Sequence, residues 1–245
     1  MSDDRAVSEV LGFVLTFSLI TATIAIVFTV GFAGLQDAQH AEQVNNVERA
    51  FDVLATNVDE VHREGAPSRS TEMRLAGGQL AFGDPTTVTI AVEGNTTTIE
   101  TRPLVYSSGD TDIVYELGGI IRTDSGTSVM LDEPGYVLND GRSSIPLLIT
   151  TKPSDQTATG GQRTVLVRSS YQYTEPLHPR TTENETVTIT IDSPRADAWE
   201  RYFERQKVGT VEPMESDTTV EYAINRDEAE SETSVSATWI RFRFV

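Results

Sequence analysis

Apolar positions change their spacing twice along the chain, and the first pattern is a continuous run. From Val10 to Gln36 no side chain is charged, and a helix over this stretch would be about 40 Å long at about 1.5 Å per residue. The hydrocarbon core of a bilayer is about 30 Å thick, so such a helix could span it. A run that is apolar on every face is typical of a membrane helix rather than of a core helix in a soluble domain. We predict a transmembrane or assembly helix over residues 7–36.

A narrower pattern follows the apolar run. Apolar residues spaced by three or four form a single stripe on a helix, and they are Ala41, Val44, Val47, Phe51, Leu54, Val58 and Val61. Gly65-Ala66-Pro67 should end this helix, because Pro cannot continue one. We predict an amphipathic stalk helix over residues 37–66. Two partners for its stripe stay open, the protein's own head and neighbouring subunits.

Beyond Pro67 the period falls to two, which indicates β-strands. Glu93-Gly94-Asn95 separates two alternating runs and predicts a hairpin. The other strand candidates are Val165 to Tyr173, Val187 to Ile191, Val220 to Ile224 and Ile240 to Phe244. The predicted fold class is therefore α+β, with the long N-terminal helix followed by an antiparallel β-sandwich-like head over residues 67–245.

One helix interrupts these strands. Ser193 is the expected N-cap, Pro194 suits the first turn, and Ala196, Trp199 and Phe203 form an apolar stripe that ends before Gly209. We expect this stripe to cover the sheet. The alternative is an exposed aromatic recognition patch.

Composition excludes several classes of function. The chain has 37 acidic and 19 basic residues and a net charge of -18, so it lacks the basic footprint of a nucleic-acid-binding protein. The acid excess and the two lysines make it similar to proteins of salt-loving archaea. Because the chain contains no cysteine, disulfides and thiolate metal sites are excluded.

The residues before the apolar run form a recognisable pattern. Arg5-Ala6 stands directly before Val7-Ser8-Glu9-Val10-Leu11-Gly12, whereas a removable secretory signal would have a shorter apolar core of about 7 to 15 residues. This start resembles that of haloarchaeal type IV pilin-like and archaellin-like secreted proteins, which carry a class III signal peptide. The resemblance implies a leader over residues 1–6, cleaved after Ala6 by a prepilin-type peptidase to leave Val7 as the new N-terminus.

Two further residues have predicted roles in assembly. A carboxylate such as Glu9 at a membrane edge is costly unless it is paired, and the new α-amino group of a neighbouring subunit would pair with it. The alternative is an interfacial Glu stabilised by the helix dipole. Gly12 is small enough to let helices approach closely.

Parts of the head also resemble the haloarchaeal pilin-like proteins, namely Gly118 to Pro134, Ile145-Pro146 and Ser193 to Phe203. Asn95-Thr96-Thr97 and Asn184-Glu185-Thr186 fit the N-glycosylation acceptor. Asn95 and Asn184 are therefore candidate glycosylation sites on an extracellular head.

The sequence carries no common catalytic motif. It has no nucleophile elbow, phosphate loop or H-E-x-x-H, and its three histidines lie far apart. We expect no catalytic residue, no metal site and no cofactor.

The predicted function is a structural or accessory subunit of a type IV pilus-like filament, with copies or related pilins and the membrane as partners and an adhesive head outside the cell. The alternative is a single-span, membrane-anchored extracytoplasmic binding module that does not polymerise. An exported hydrolase is the least supported class.

Overall fold

The computed structural model describes residues 3–139, 142–152, 158–178, 186–212, 216–224 and 232–245. The chain divides into two compact units, Met1–Asn45 and Asn46–Val245. Helix α1 (Asp3–Arg63) forms the described part of the first unit and begins the second. The predicted order of a long apolar helix followed by a strand-rich head is confirmed.

Helix α1 ends at Arg63, three residues before the predicted bound of the stalk at residue 66 and just before the predicted Gly65-Ala66-Pro67 stop. Gly65 has a φ of 71°, a left-handed conformation that glycine adopts without steric cost. The N–H of Ala66 donates to the carbonyl of Glu60 at 3.4 Å, so the turn satisfies one of the last helical acceptors. Pro67 then follows.

The described part of the head consists of strands and one short helix, α2 (Ala196–Glu204). The strands are β1 (Ser68–Arg74), β2 (Gln79–Phe82), β3 (Thr86–Val92), β4 (Asn95–Thr101), β5 (Leu104–Ser108), β6 (Thr111–Glu116), β7 (Gly119–Asp124), β8 (Thr127–Asp132), β9 (Val137–Leu138), β10 (Arg142–Thr151), β11 (Ala158–Gly160), β12 (Thr164–His178), β13 (Val187–Asp192), β14 (Thr210–Glu212), β15 (Thr219–Ile224) and β16 (Glu232–Phe244).

The described strands form three sheets. The first sheet has the order β1-β12-β16-β10-β9, the second β11-β2-β5-β6-β7-β8, and the third β14-β15-β13-β3-β4. Strands β10 and β16 pair in parallel, whereas neighbours such as β12 and β16 or β13 and β3 are antiparallel. The predicted hairpin is present as β3 and β4, with positive φ at both turn residues, Glu93 and Gly94. Such a turn matches the twist of the strands it joins.

The main core contains the inner faces of the third and first sheets. Alternate residues of β3, β13 and β15 are buried in it together with residues of β10 and β16. These residues include Val88, Ile90, Val92, Val187, Ile189, Ile191, Val220, Tyr222, Ile224, Ile145, Leu147, Ile149, Val235 and Ala237. Because a strand turns successive side chains to opposite faces, this alternation produces the predicted β-sandwich-like head.

Residues 46–63 of α1 pack on the head itself. The stripe residues Val47, Phe51, Leu54, Val58 and Val61 are each at most 2% exposed. Polar contacts tie the same segment to three strands: Asn57 to Thr71 of β1 at 2.8 Å, Glu48 to Arg122 of β7 at 2.8 Å, and His62 to Thr238 of β16 at 3.1 Å. Of the two partners left open by the sequence, the protein's own head is the one that covers this part of the stripe.

Helix α2 covers the sheet, as predicted. Its aromatic residues Trp199, Tyr202 and Phe203 are at most 2% exposed, and the rings of Phe203 and Tyr222 stack with centroids 4.5 Å apart. The alternative of an exposed recognition patch is therefore wrong.

The predicted start of α2 is also wrong. The N-cap position is Arg195, and no side chain caps it. The hydroxyl of Ser193 instead accepts the N–H of Arg195 at 3.1 Å and donates to Glu116 at 2.9 Å. The same hydroxyl therefore accepts a backbone N–H just before the helix and donates its own hydrogen to a buried carboxylate.

Candidate functional site

The candidate functional site is the apolar part of α1. Every side chain that the structure describes between Val10 and Gln36 is exposed, including Phe13 at 71%, Leu19 at 70% and Phe28 at 70%. Among the described residues, α1 is the one helix long and apolar enough to cross a membrane, and it lies near the N-terminus. Exposed apolar surface of this extent requires an apolar environment, either lipid or other helices.

Three threonines inside this segment have hydrogen-bond partners on their own helix. The hydroxyls of Thr16, Thr23 and Thr29 donate to the carbonyls of Gly12, Leu19 and Ala25 at 2.8–2.9 Å. A hydroxyl without a partner is costly in hydrocarbon, and these bonds remove that cost. The segment can therefore enter lipid with these threonines in place.

The predicted processing and assembly residues lie at the start of α1. Arg5, Ala6, Val7 and Glu9 belong to the helical backbone, but their side chains lie outside the described part of the structure. Gly12 is described, and a Cβ added there would meet no atom within 4 Å. Its surface is therefore open to another helix, and the cleavage and assembly roles of these residues stay predictions.

The two candidate glycosylation sites differ in what can be said of them. Asn95 is exposed at the first position of β4, the edge strand of the third sheet. An enzyme could reach its amide there. Asn184 lies outside the described residues.

Glu116, at the end of β6, is a buried carboxylate with several hydrogen-bond donors around it. Its side chain is 0% exposed, and that of its partner Arg195 is 12% exposed. Glu116 accepts hydrogen bonds from Thr86 at 2.8 Å, Ser193 at 2.9 Å, Arg195 Nε at 2.9 Å and Trp199 Nε1 at 2.7 Å. A carboxylate so enclosed and so fully bonded has a structural role, because no substrate can reach it.

The turn after β6 positions this carboxylate. Leu117 and Gly118 both have positive φ, at 51° and 93°, and they join β6 to β7 in a two-residue hairpin. Glu116 therefore ends its strand next to the segment that leads into α2. Four parts of the chain, β3, β6, the Ser193 segment and α2, meet at one buried group.

His62, near the end of α1, contacts the head. Among the described residues no group of three or more His, Cys, Asp or Glu side chains could hold a metal ion. His62 Nδ1 lies 3.1 Å from Thr238 Oγ1. Burial lowers the pKa of His62 below its usual value, Arg63 adds to that effect and Asp59 opposes it.

Two features of the head become visible in the folded structure. The pair of Glu116 and Arg195 joins positions 79 residues apart, and no local pattern marks either residue. The other feature is a row of exposed arginines on β12 and β16, Arg168, Arg241 and Arg243. Alternation with buried Val167, Phe242 and Phe244 is the signal that could have found it.

Comparison with known proteins places the chain in a family without giving it an activity. No curated protein matches it significantly, and no solved structure does either. One family, described as a family of unknown function (DUF7289), matches residues 5–242. That match covers both the apolar helix and the head. The chain therefore belongs to the family of unknown function DUF7289.

Proposed function

We propose that this protein is a structural or accessory subunit of a type IV pilus-like surface filament. The observation that carries the proposal is the uncharged apolar segment from Val10 to Gln36, whose described side chains are all exposed. Before assembly it lies in the membrane, and in the filament it packs against the same segment of other copies. The resemblance of Arg5 to Gly12 to pilin-like processing sites supports this function.

In this proposal a prepilin-type peptidase cuts after Ala6, and the head stands outside the cell. The exposed position of Asn95 on β4 supports an accessible outer surface that could carry a glycan. Open space beside Gly12, Gly31 and Gly34 supports close approach of neighbouring helices. No group of the head needs to act on a substrate for this function.

The alternative is a membrane-anchored binding module that does not polymerise, and one observation favours it. Val47, Phe51, Leu54, Val58 and Val61 are buried within the head. This part of the stripe is therefore not available to neighbouring subunits, and assembly has to rely on the segment before it. A single anchored copy needs only that segment in lipid.

Mass spectrometry of the N-terminus in membranes and in sheared surface material tests the proposal. A filament subunit should start at or next to Val7, keep its apolar helix and appear in the sheared fraction. An intact Met1 confined to membranes would leave the anchored module. A start near Ala38 would indicate a secreted head and overturn both functions.

A pair of substitutions separates the two membrane-bound functions. Gly12→Leu fills the open space beside Gly12 without a clash inside the chain, so it should block close helix packing and remove the protein from sheared filaments while processing continues. Val14→Leu places the same side chain two residues away, at an exposed position that a large apolar residue already occupies; it is the control and should leave filaments intact. Equal behaviour of both variants in the sheared fraction would contradict assembly through Gly12.

A further inference from the structure

The core-facing side of the first sheet continues beyond the main core and becomes an exposed surface. On β16, Val235 and Ala237 are buried, Trp239 is half-buried, and Arg241 and Arg243 are exposed. These five positions alternate along one strand and therefore share one face. The third sheet covers only the first part of that face.

Strand β12 extends this surface sideways. Cross-strand partners lie on the same face of a sheet, and the register gives three neighbouring pairs: Arg168 with Arg243, Ser170 with Arg241, and Tyr173 with Trp239. A register shift between Tyr171 and Tyr173 brings Tyr173 to this face. We call these six residues the arginine ladder.

The charge of the ladder is unusual for this chain. Arg168 and Arg243 stand directly opposite each other, an arrangement of like charges that destabilises a sheet. Within the part of the chain that the structure describes, no carboxylate forms an ion pair with Arg168, Arg241 or Arg243. A protein with a net charge of -18 therefore concentrates unneutralised positive charge on one face.

The aromatic end of the ladder adds contact area. The rings of Tyr173 and Trp239 stack with centroids 4.4 Å apart and planes 16° apart, and Tyr173 is 50% exposed. Arg, Tyr and Trp are the residues enriched where protein interfaces have their strongest contacts. The combination is typical of an interface with an acidic protein surface.

The same head carries a complementary surface. A cleft of about 300 Å³ lies between α2 and strands β14 and β15. Its acidic lining residues are Asp197, Glu200, Glu212 and Asp217. Asp197 pairs with Arg201, whereas Glu200, Glu212 and Asp217 form no ion pair with any residue in the described ranges, so their charge is available to a partner.

We propose that the arginine ladder of one copy binds the acidic cleft of a second copy. The two surfaces lie on different sheets of the head, so the contact is heterologous and can repeat from copy to copy without closing. This inference deepens the proposed filament and rests on it, because assembly through α1 brings heads together. Charge complementarity selects the partner and fixes the direction in which heads follow one another.

Disulfide cross-linking between two tagged copies tests this contact in native membranes. The chain has no cysteine of its own. Ser70 on β1 is exposed and is the cross-strand partner of Arg168 on β12. Ser216 lines the cleft. Copies with Ser70→Cys and Ser216→Cys should form a heterodimer on oxidation. Ser125→Cys, at an exposed turn outside both surfaces, replaces Ser216→Cys as the collision control.

A charge swap gives the decisive comparison. Arg241→Glu with Arg243→Glu should lower the heterodimer yield by at least about tenfold, the size expected for close interfacial charge pairs. Glu200→Arg with Asp217→Arg in the other copy should restore it, which would also show that both variants fold. Arg142→Glu, at an exposed position at the start of β10, is the control for a single charge reversal; it should leave the yield unchanged, whereas Arg241→Glu alone should already lower it.

Three results would overturn the inference. They are a yield no higher than with Ser125→Cys, a charge reversal without effect, and a loss that the compensating reversal does not restore. Binding of polyglucuronate that is lost in the double arginine variant, without cross-links, would assign the ladder to an anionic polysaccharide instead. Sheared filaments with a Val7 start but no cross-link would reject the ladder contact alone, whereas a missing Val7 start would reject the filament whatever the cross-linking result.

Discussion

Removing the carboxylate of Glu116 should destabilise the head more than any change at its surface. In Glu116→Ala the Arg195 guanidinium, whose side chain is 12% exposed, loses its partner in a buried site. Breaking a buried ion pair from one side typically costs about 3–5 kcal/mol. The indole N–H of Trp199 loses its acceptor at 2.7 Å as well, whereas the hydroxyls of Thr86 and Ser193 can rotate toward other acceptors.

That loss is large compared with the stability of a domain, which is about 5–15 kcal/mol. Urea unfolding of the full chain in detergent micelles, followed by near-ultraviolet circular dichroism and Trp fluorescence, would measure it. Agreement of the two signals checks that unfolding is two-state. We expect the unfolding midpoint of Glu116→Ala to fall sharply with little change in slope.

Two comparisons make the reasoning refutable. Glu133→Ala removes an exposed ion pair with Arg205, where both side chains are more than half exposed, and it should change the free energy of unfolding by no more than about 1 kcal/mol. Glu116→Leu with Arg195→Met removes both charges and should recover much of the loss. If Glu116→Ala is no more destabilising than Glu133→Ala, Glu116 does not hold the head together.

Two further predictions concern the part of α1 that belongs to the head. Phe51→Ala empties a fully buried site and should lower the free energy of unfolding by about 3–5 kcal/mol. Val53→Ala, at a position 53% exposed, is the control and should change it by no more than about 0.5 kcal/mol. Equal effects of the two variants in urea unfolding would show that the segment does not pack on the head. Burial lowers the pKa of His62 below its usual 6.5, so just below that pH the folded head binds fewer protons than the unfolded chain. The urea concentration at the unfolding midpoint should therefore decrease as the pH is lowered from about 7.5 to about 5.5. His62→Gln should reduce that decrease. If the variant has the same pH profile as the original chain, His62 is not the group whose protonation destabilises the head.

Several structural elements follow from neighbouring residues alone. The glycine and proline at Gly65-Ala66-Pro67 locate the end of α1, and Glu93-Gly94 between two alternating runs locates the hairpin of β3 and β4. The stripe spacing of Trp199 and Phe203 predicts the buried face of α2. Each of these predictions depends on steric preference or periodicity within about one turn or strand, which the chain carries locally.

The site could be predicted only in part for the same reason. The uncharged run from Val10 to Gln36 is visible in the sequence because length and lack of charge are sufficient to recognise a segment suited to lipid. The sequence could not predict whether the apolar stripe of the stalk packs on a neighbouring subunit or on the protein's own head, since either surface would bury the same side chains. The contacts of Asn57 with Thr71 and of His62 with Thr238 decide in favour of the head for residues 46–63.

The sequence by itself therefore determined the apolar helix, the amphipathic segment after it and the alternating strands of the head, because each depends on the spacing of residues close along the chain. Only the tertiary structure decided the parallel pairing of β10 with β16, the burial of Glu116 against Arg195 and the meeting of Arg168 with Arg243. Those pairings join residues about 75 to 90 positions apart, and such contacts form by closing long loops whose cost depends only weakly on local sequence. The fold as a whole, through sheet register and shared burial, selects which distant charges meet.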